Sequence, residues 1–397
     1  MGFVRKWRAR KAWDLHQDAL RLLNLGRARD AEPLIGKAVD IRSAALGSDA
    51  ADTLESRVVR ANVLHRLQRG EEAETEGREV LRLAGGEAVQ PGIVCRARLL
   101  IGRVCLATGR AEEARTEAAA ALELAGRYHD EPIRHSVRMF HARVLNVLGR
   151  HVEAATELGA IAADEAAGSG PRSIGALNAR SDRAQILVYL GRYEEAEEEC
   201  RALIDIAPAT QHRVPLGLAV LNALVLALAM GGRAVEAEAE ARTAVEFAES
   251  AKGMDARFVL TARLGLARAL NAQDRYDEAL SLLGPSNDFL PGDLGTEEEL
   301  AAALRLVTAT ALLGLGQDAG GTVREAVAVC GRILGPYHHR ALEAGTLHGR
   351  VLAAQGRTAD ALERLAANAA DWREHFGDGH PGTRAAQEAL SHVSSAS

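Results

Sequence analysis

Aromatic side chains are scarce in this sequence, at 4% of 397 residues, while Ala and Leu dominate. Clusters of β-branched residues bounded by turn signals are hard to find, so extended strands are excluded and the composition reads as all-helical. Cysteine is also sparse. Cys95, Cys105, Cys200 and Cys330 form no CxxC pair, which removes the usual zinc and redox spacings. Cys95 and Cys105 fall on one expected helix about 15 Å apart, beyond disulfide reach. Reduced, buried thiols in a cytoplasmic protein are the expectation. No excess of positive charge is present: the formal net charge is −6, so nothing draws the chain to nucleic acid non-specifically. The first residues, Met1 to Trp13, lack the apolar core and cleavage site of a secretory signal. The apolar run Val214 to Met230 contains Pro215 and Asn222 and is short for a membrane span. It is expected to be a buried central helix. The phosphate-binding GxxxxGK[ST] and GxGxxG loops, HExxH and GxSxG are all missing. No catalytic residue, metal ligand or cofactor site is therefore assigned, and the histidines at 129, 135, 141, 338, 339 and 348 are expected in linkers and on surfaces.

What is present is self-similarity. The phrase Gly-Arg-x-x-x-Ala runs from Gly26 to Ala31, Gly109 to Ala114, Gly149 to Ala154, Gly191 to Ala196, Gly232 to Ala237 and Gly356 to Ala361. Weaker copies lead to Ala73, Ala279 and Gly321. The anchors are spaced by 42, 41, 40, 42, 41, 42, 42 and 40 residues, a period characteristic of a helical array. Twelve residues before each anchor stands Ala19, Ala61, Gly102, Ala142, Ala184, Val225, Ala267, Ala309 or Gly349. All but Val225 are Ala or Gly, as required where two helices cross closely. Nine residues before the anchor, Leu recurs in every copy except at Cys105. Each unit is thus helix A, a glycine turn that ends it, and helix B.

These residues resemble the tetratricopeptide repeat, with a small residue at its eighth position, Gly before the turn and Ala at its twentieth; Gly191-Arg-Tyr-Glu-Glu-Ala196 is a near-ideal copy. The classical unit has about 34 residues. The longer step resembles the kinesin-light-chain type, whose Leu-Gly-x-x-His-Pro-x-Thr linkers are matched in part at Leu46–Leu54, Leu334–His338 and Phe376–Thr383. The bias to arginine, 44 against four lysines, is similar to that of proteins from high-GC bacteria such as actinomycetes.

The resemblance implies a right-handed α-solenoid superhelix of about nine repeats closed by a C-terminal capping helix. The whole of 1–397 is expected to be one array: a basic extension at 1–11, repeats one to seven at 12–283, an irregular loop or hinge at 284–296, repeats eight and nine at 297–375, and a cap at 383–392. Thr296 and Glu299 form a capping box after that loop. Phe3, Arg5, Lys6, Trp7, Arg8, Arg10, Lys11 and Trp13 mix basic and aromatic side chains on an expected capping helix. The position-four Trp of the classical repeat is missing, and Arg57, Arg98, Arg138, Arg180, Arg263 and Arg305 stand there instead. Structural or edge roles are expected for them.

The resemblance also places ligand contacts on helix A at its second, fifth, ninth, twelfth and thirteenth positions. Carried onto this chain, they give a groove of Asn62, His65, Arg96, Arg103, Arg143, Asn146, Asn178, Gln185, Asn222, Arg268 and Asn271. Asn can pair with a peptide backbone, and Arg offers a planar fork for carboxylate or phosphate. The competing account pairs each arginine with a neighbouring glutamate. The equivalence of Arg103 and Arg143 in adjacent units favours binding. The expected function is a non-catalytic cytoplasmic scaffold or adaptor for a protein or acidic peptide, with neither nucleic acid nor membrane as partner. The alternatives are a peptide sensor acting through a separate effector, and an accessory partner of a biosynthetic enzyme.

Overall fold

The computed structural model describes residues 2–24, 27–85, 91–127, 130–206, 214–250, 256–287 and 298–396. They form α-helices joined by short turns, with no strand among the described residues. The helices come as nine pairs. In chain order these are α1 (Gly2–Asn24) with α2 (Ala28–Leu46), α3 (Ala51–Arg66) with α4 (Gly70–Leu83), α5 (Pro91–Ala107) with α6 (Ala111–Arg127), and α7 (Glu131–Val147) with α8 (His151–Ser169). There follow α9 (Ile174–Tyr189) with α10 (Tyr193–Ile206), α11 (Val214–Met230) with α12 (Ala234–Ser250), α13 (Ala256–Asn271) with α14 (Tyr276–Asn287), α15 (Glu298–Gly314) with α16 (Gly320–Ile333), and α17 (His339–Ala354) with α18 (Thr358–Phe376). A last helix, α19 (Pro381–Ser395), packs on α17 and α18. The fold is an all-α solenoid.

The turn explains the periodic glycine. Helix A ends with a residue at positive φ, which is Gly109, Gly149, Gly191, Gly232, Gly316 or Gly356 at 68–83°. Only a residue without Cβ adopts that region freely. Two copies lack the glycine, and there Gln68 and Asp274 are forced to φ 65° and 59°. The following Arg N–H then bonds back five residues, as from Arg69 to the Leu64 carbonyl at 3.0 Å.

The small positions are where helices touch. The alanines at the first small position, from Ala19 to Ala309, are fully buried, as are all eight anchor alanines. A Cβ at Gly102 would lie 2.7 Å from the Phe140 ring, so a larger residue would push α5 away from α7. One register differs from the sequence expectation. In the eighth pair the anchor was placed at Gly321, which is exposed. Asp318 Oδ1 accepts from Gly320 N–H at 2.9 Å, helix α16 starts two residues late, and Val323 fills the core position instead.

The recurrent arginines pin the array together. Position-four Arg57, Arg98 and Arg180 each reach a glutamate nineteen residues on, at Glu76 (3.3 Å), Glu117 (2.9 Å) and Glu199 (2.7 Å), joining helix A to helix B of one repeat. Arg305 does the same with Glu325 at 2.8 Å, and Arg263 reaches Glu249 on the preceding helix. The arginine after the turn bonds both the acid three residues on and a glutamate on the previous helix B. Arg110 with Glu113 and Glu74, Arg233 with Glu236 and Glu197, and Arg275 with Glu278 and Glu238 all follow this pattern.

The chain divides into two compact units, Met1–Val144 and Leu145–Ser397. Within the first, α3 packs on α5; within the second, α9, α11, α13, α15, α17 and α19 each pack on the next. The B helices pack chiefly on their chain neighbours. In each unit the A helices therefore form one layer, and the largest core cluster runs along it through Leu177, Leu224, Leu264 and Leu304. Helix α11, the apolar run, contributes Leu216, Val220, Ala223, Leu224, Val225 and Leu228 to that core. Among the described residues no helix is long and apolar enough to cross a membrane.

The expected loop at 284–296 splits: residues 284–287 belong to α14, and 288–296 lie outside the described residues, as do Thr296, His129 and the side chains of Phe3, Arg5, Lys6, Trp7, Arg8 and Glu299. Arg10, Lys11 and Trp13 are exposed on α1. All four cysteines are buried thiols.

Candidate binding site on the A-helix layer

In the second unit the layer of A helices curls until its ends meet. The contact is built from turns and linkers. The turn at Gly149 backs onto Tyr337, whose carbonyl oxygen would lie 3.2 Å from a Cβ at that glycine. The turn at Gly191 backs onto Pro381 at 2.7 Å in the same sense. Between them His151, Tyr189, His338, His339, Trp372, Phe376 and His380 form a buried cluster of rings. Tyr189 stacks on His339 at 5.4 Å, Trp372 on His380 at 5.1 Å, and His151 meets His338 edge-on at 5.1 Å. The linkers that resemble the kinesin-light-chain type supply two of these rings. His338 Nδ1 accepts from Arg340 N–H at 3.2 Å and His380 Nδ1 from Gly382 N–H at 3.0 Å, each capping a helix. His380 also donates from Nε2 to the Tyr189 carbonyl at 3.0 Å, 191 residues away. A ring that accepts at one nitrogen and donates at the other is neutral.

Burial drives all four histidines below their ordinary pKa. His151, which donates to Asn146 Oδ1 at 2.9 Å, is pushed down to about 4 by desolvation and then by His380. His338 and His339 are driven well below the ordinary value by burial and then by the neighbouring histidines and Arg340. His380 is lowered by burial, against the opposing effect of its bond to Tyr189. The expectation of linker and surface histidines therefore fails at His338, which caps α17, and at His339, its first residue, since they are only 1% and 3% exposed.

The curl lines a half-open cavity of about 290 Å³, close to the small end of ligand pockets. Five A helices line it: α9 by Val188 and Tyr189, α11 by Asn222, Leu226 and Met230, α13 by Phe258, Thr261, Leu264 and Arg268 among others, α15 by Leu300 and Ala303, and α17 by His339, Arg340 and Glu343. Most of this wall is apolar. Among its polar groups, Arg268 meets Glu343 Oε1 at 3.4 Å, and Glu343 Oε2 is buried with no hydrogen-bond partner. Arg340 lies over the Tyr189 ring, 5.6 Å from its centroid.

In the first unit the feature of the layer is positive charge. Arg103 on α5 and Arg143 on α7 are exposed at equivalent repeat positions, beside exposed Arg66 and half-buried His65 at the end of α3. Desolvation, then the charges of Arg143 and Arg66, lower the pKa of Arg103; desolvation, then Arg103, Arg66 and Arg143, lower that of His65. None of these four side chains has a hydrogen-bond or ion-pair partner among the described residues.

The other residues expected in the groove are dispersed. Asn222 and Arg268 face the cavity. Asn271 is buried and donates to the Val307 carbonyl at 3.0 Å, leaving its Oδ1 without a partner. Gln185 is half-buried with an unpartnered Nε2, and Asn178 is exposed. Asn62 donates to the Val58 carbonyl of its own helix, Asn146 accepts from His151, and Arg96 pairs with Glu55 at 2.8 Å. Sequence reasoning missed Arg66 and the α17 wall. For Arg66 a signal existed: like Arg103 and Arg143, it has no acidic residue three, four or nineteen positions away in the directions that satisfy the other arginines.

No curated protein matches the chain in sequence. Among the solved structures that cover nearly all of it are two with TM-scores above 0.5. A Rap protein complexed with Competence and Sporulation Factor aligns over 98% of both chains at 13% identity with a TM-score of 0.59. The apo form of RapI aligns over 97% of this chain and 98% of its own at 11% identity with a TM-score of 0.57. Nearly identical TPR-like repeats of kinesin-light-chain type from Podosopora anserina match 50% of this chain and 95% of theirs, at 20% identity and a TM-score of 0.43. These likenesses are of fold. Tetratricopeptide-repeat family models match residues 96–120, 178–210, 260–285 and 349–382, which fall on the pairs beginning with α5, α9, α13 and α17. The chain carries tetratricopeptide repeats.

Proposed function

We propose that this protein is a non-catalytic scaffold that holds a protein segment or peptide against its A helices, acidic where it meets the arginines of the first unit. The observation that carries this reading is the cavity of about 290 Å³ walled by five successive A helices. Its apolar lining suits one or two apolar side chains. Asn222 and Arg268 can donate to a peptide backbone, and Thr261 Oγ1, whose own proton goes to the Arg257 carbonyl, and Glu343 Oε2 can accept from it. Stacked helix pairs hold these groups in place beforehand, so ordering costs fall mainly on the ligand. A Rap protein of the same fold is found in complex with a factor, which agrees with a binding role. The cytoplasm of a bacterium is the proposed location, supported by the bias to arginine and by four buried thiols. A formal charge of −6 speaks against nucleic acid as partner.

One observation favours a sensor over a passive holder. A ligand in the cavity would touch α9, α11 and α13 on one side and His339, Arg340 and Glu343 of α17 on the other. It would therefore bridge the contact that closes the second unit, and its binding energy would bias that closure. Panning a random peptide-display library on the full chain tests the reading, with Thr261→Trp as the variant that fills the cavity. Peptides that bind wild type and lose at least about tenfold in affinity for the variant support the cavity as the site. A variant with unchanged helicity and unchanged binding sinks it.

A further inference from the structure

We propose that the ring cluster of the second unit is a proton-operated latch: it holds the ends of the curled A-helix layer together while its histidines are neutral, and parts them, with the helix pairs still stacked, when they take up protons. The proposal concerns the closure itself and stands apart from the scaffold reading, so its test needs no ligand.

The seam is built differently from the stacking on either side of it. Successive pairs are joined through aliphatic side chains, as along Leu177, Leu224, Leu264 and Leu304. The ends meet instead through rings. Across the seam His151 lies 5.1 Å from His338 and 5.4 Å from Phe376, and Tyr189 lies 5.5 Å from His338 and 5.4 Å from His339. The bond from His380 Nε2 to the Tyr189 carbonyl crosses it at 3.0 Å. Two turn glycines admit the approach: a Cβ at Gly149 would lie 3.2 Å from the Tyr337 carbonyl oxygen, and one at Gly191 would lie 2.7 Å from Pro381 and 3.2 Å from His380. The same turn at Gly232, Gly316 and Gly356 faces open space. Phe or Leu at the ring positions would hold the ends together at any pH. Histidine ties the hold to the proton concentration.

The closed geometry has no place for the added protons. His151 and His339 are 2% and 3% exposed, and His151 Nε2 and His339 Nδ1 are buried without a hydrogen-bond partner. His151 Nδ1 already donates to Asn146, so a second proton goes to Nε2, where no acceptor waits. In His338 and His380 the Nδ1 lone pair accepts the N–H of Arg340 or Gly382. His380 has no other lone pair, because Nε2 donates to Tyr189, and its second proton displaces the Gly382 bond. The charged groups that face the four rings are Arg340 of α17, Arg268 of α13 and Arg384 of α19, all of which repel a further positive charge. Glu343, one turn along α17 from His339, is engaged by Arg268 at 3.4 Å. Exposed His375 stacks on Tyr337 at 4.0 Å beside the seam.

Opening returns the rings to water, where they titrate near 6.5. The open form therefore binds protons first, and closure, complete above that pH, gives way as pH falls below it. With His151 held at about 4 in the closed form, the open-to-closed ratio rises roughly thirtyfold between pH 7.5 and pH 5 from that ring alone. The ends can part without unfolding, because each pair of a solenoid is held by its neighbours.

The test places nitroxide labels on Val152→Cys and Asp378→Cys, exposed residues beside His151 and His380, in the full chain, whose native thiols are buried. Electron paramagnetic resonance reads their separation at pH 7.5 and pH 5, with circular dichroism in parallel. A short separation is expected at pH 7.5. At pH 5 a longer one should gain on it by roughly thirtyfold or more with helicity unchanged. His151→Gln should remove that thirtyfold part. In His380→Asn the new side chain can still cap α19 but does not reach Tyr189, so the longer separation should be present already at pH 7.5. A separation that stays the same at pH 5 overturns the latch, and so does helicity lost in step with the lengthening, since the unit then unfolds instead of opening. A pH response unaltered by His151→Gln, or a His380→Asn variant fully closed at pH 7.5, overturns the assignment to these rings.

Discussion

Acid should loosen the second unit at the ring cluster, and the amount can be worked from His151. In the unfolded chain its imidazole titrates near 6.5, whereas in the folded protein burial pushes it down to about 4. The unfolded state therefore binds the proton first. The stability held by the neutral ring is fully present above pH 6.5, is lost as pH falls below it, and stops falling once the folded ring also protonates near pH 4. At pH 5 the ratio of the two binding polynomials is roughly thirtyfold, or about 2 kcal/mol from His151 alone. His338 and His339, also driven well below their ordinary value by burial, add in the same direction. So does the geometry, because protonating Nδ1 of His338 or His380 would break the bond from Arg340 or Gly382 that caps its helix. Trp372 touches His339 and His380 at 5.2 and 5.1 Å and is a local reporter once Trp7 and Trp13 are replaced by Phe. Urea unfolding followed by Trp372 fluorescence at pH 7.5 and pH 5 should show the loss. In His151→Gln, which keeps a donor for Asn146 but cannot ionise, the gap between the two pH values should narrow by about 2 kcal/mol. A transition at Trp372 that does not move between pH 7.5 and 5, or a gap unchanged in the variant, would refute the neutral cluster.

Two further outcomes follow from the turns. Gln68 sits at φ 65° where six other copies carry glycine, so Gln68→Gly should relieve about 1 kcal/mol of backbone cost and raise the thermal midpoint of the first unit; an unchanged or lower midpoint in calorimetry would show that the strain is absent. Glu238 is 5% exposed and receives Arg275, Arg242 and Gln273. Glu238→Ala should cost about 2 kcal/mol and lower the second unit's midpoint by about 4–8 °C, and a shift under one degree would mean that Glu278 and solvent satisfy those donors without it.

The fold was legible because its causes repeat. A close crossing needs a small residue and a reversed helix end needs positive φ, and both demands recur every forty residues or so, which is why Gly-Arg-x-x-x-Ala could be followed through the chain. Where one demand is met differently the signal slips, as in the eighth pair, where Asp318 caps the turn and Val323 takes the core position from Gly321. The closure of the second unit had no such signal. His380 meets Tyr189 across 191 residues, and a contact made once leaves no period in the sequence. The linker motif that carries His380 was visible; its neutral, buried destination was not.

The arginines show how far local pattern can be taken toward function. Family positions picked out eleven residues, and the structure spends several of them on its own needs: Asn146 on His151, Arg96 on Glu55, Asn271 on the Val307 carbonyl. What separates Arg103 and Arg143 from that group is the absence of an acid three, four or nineteen positions away in the directions that satisfy the paired arginines, a property as readable in sequence as the repeat itself. Arg66 shares it, and it falls at the thirteenth position of the second repeat. The turn and position-four arginines are paired at fixed spacings, and that periodic pairing is what makes the unpaired Arg66, Arg103 and Arg143 visible in the sequence.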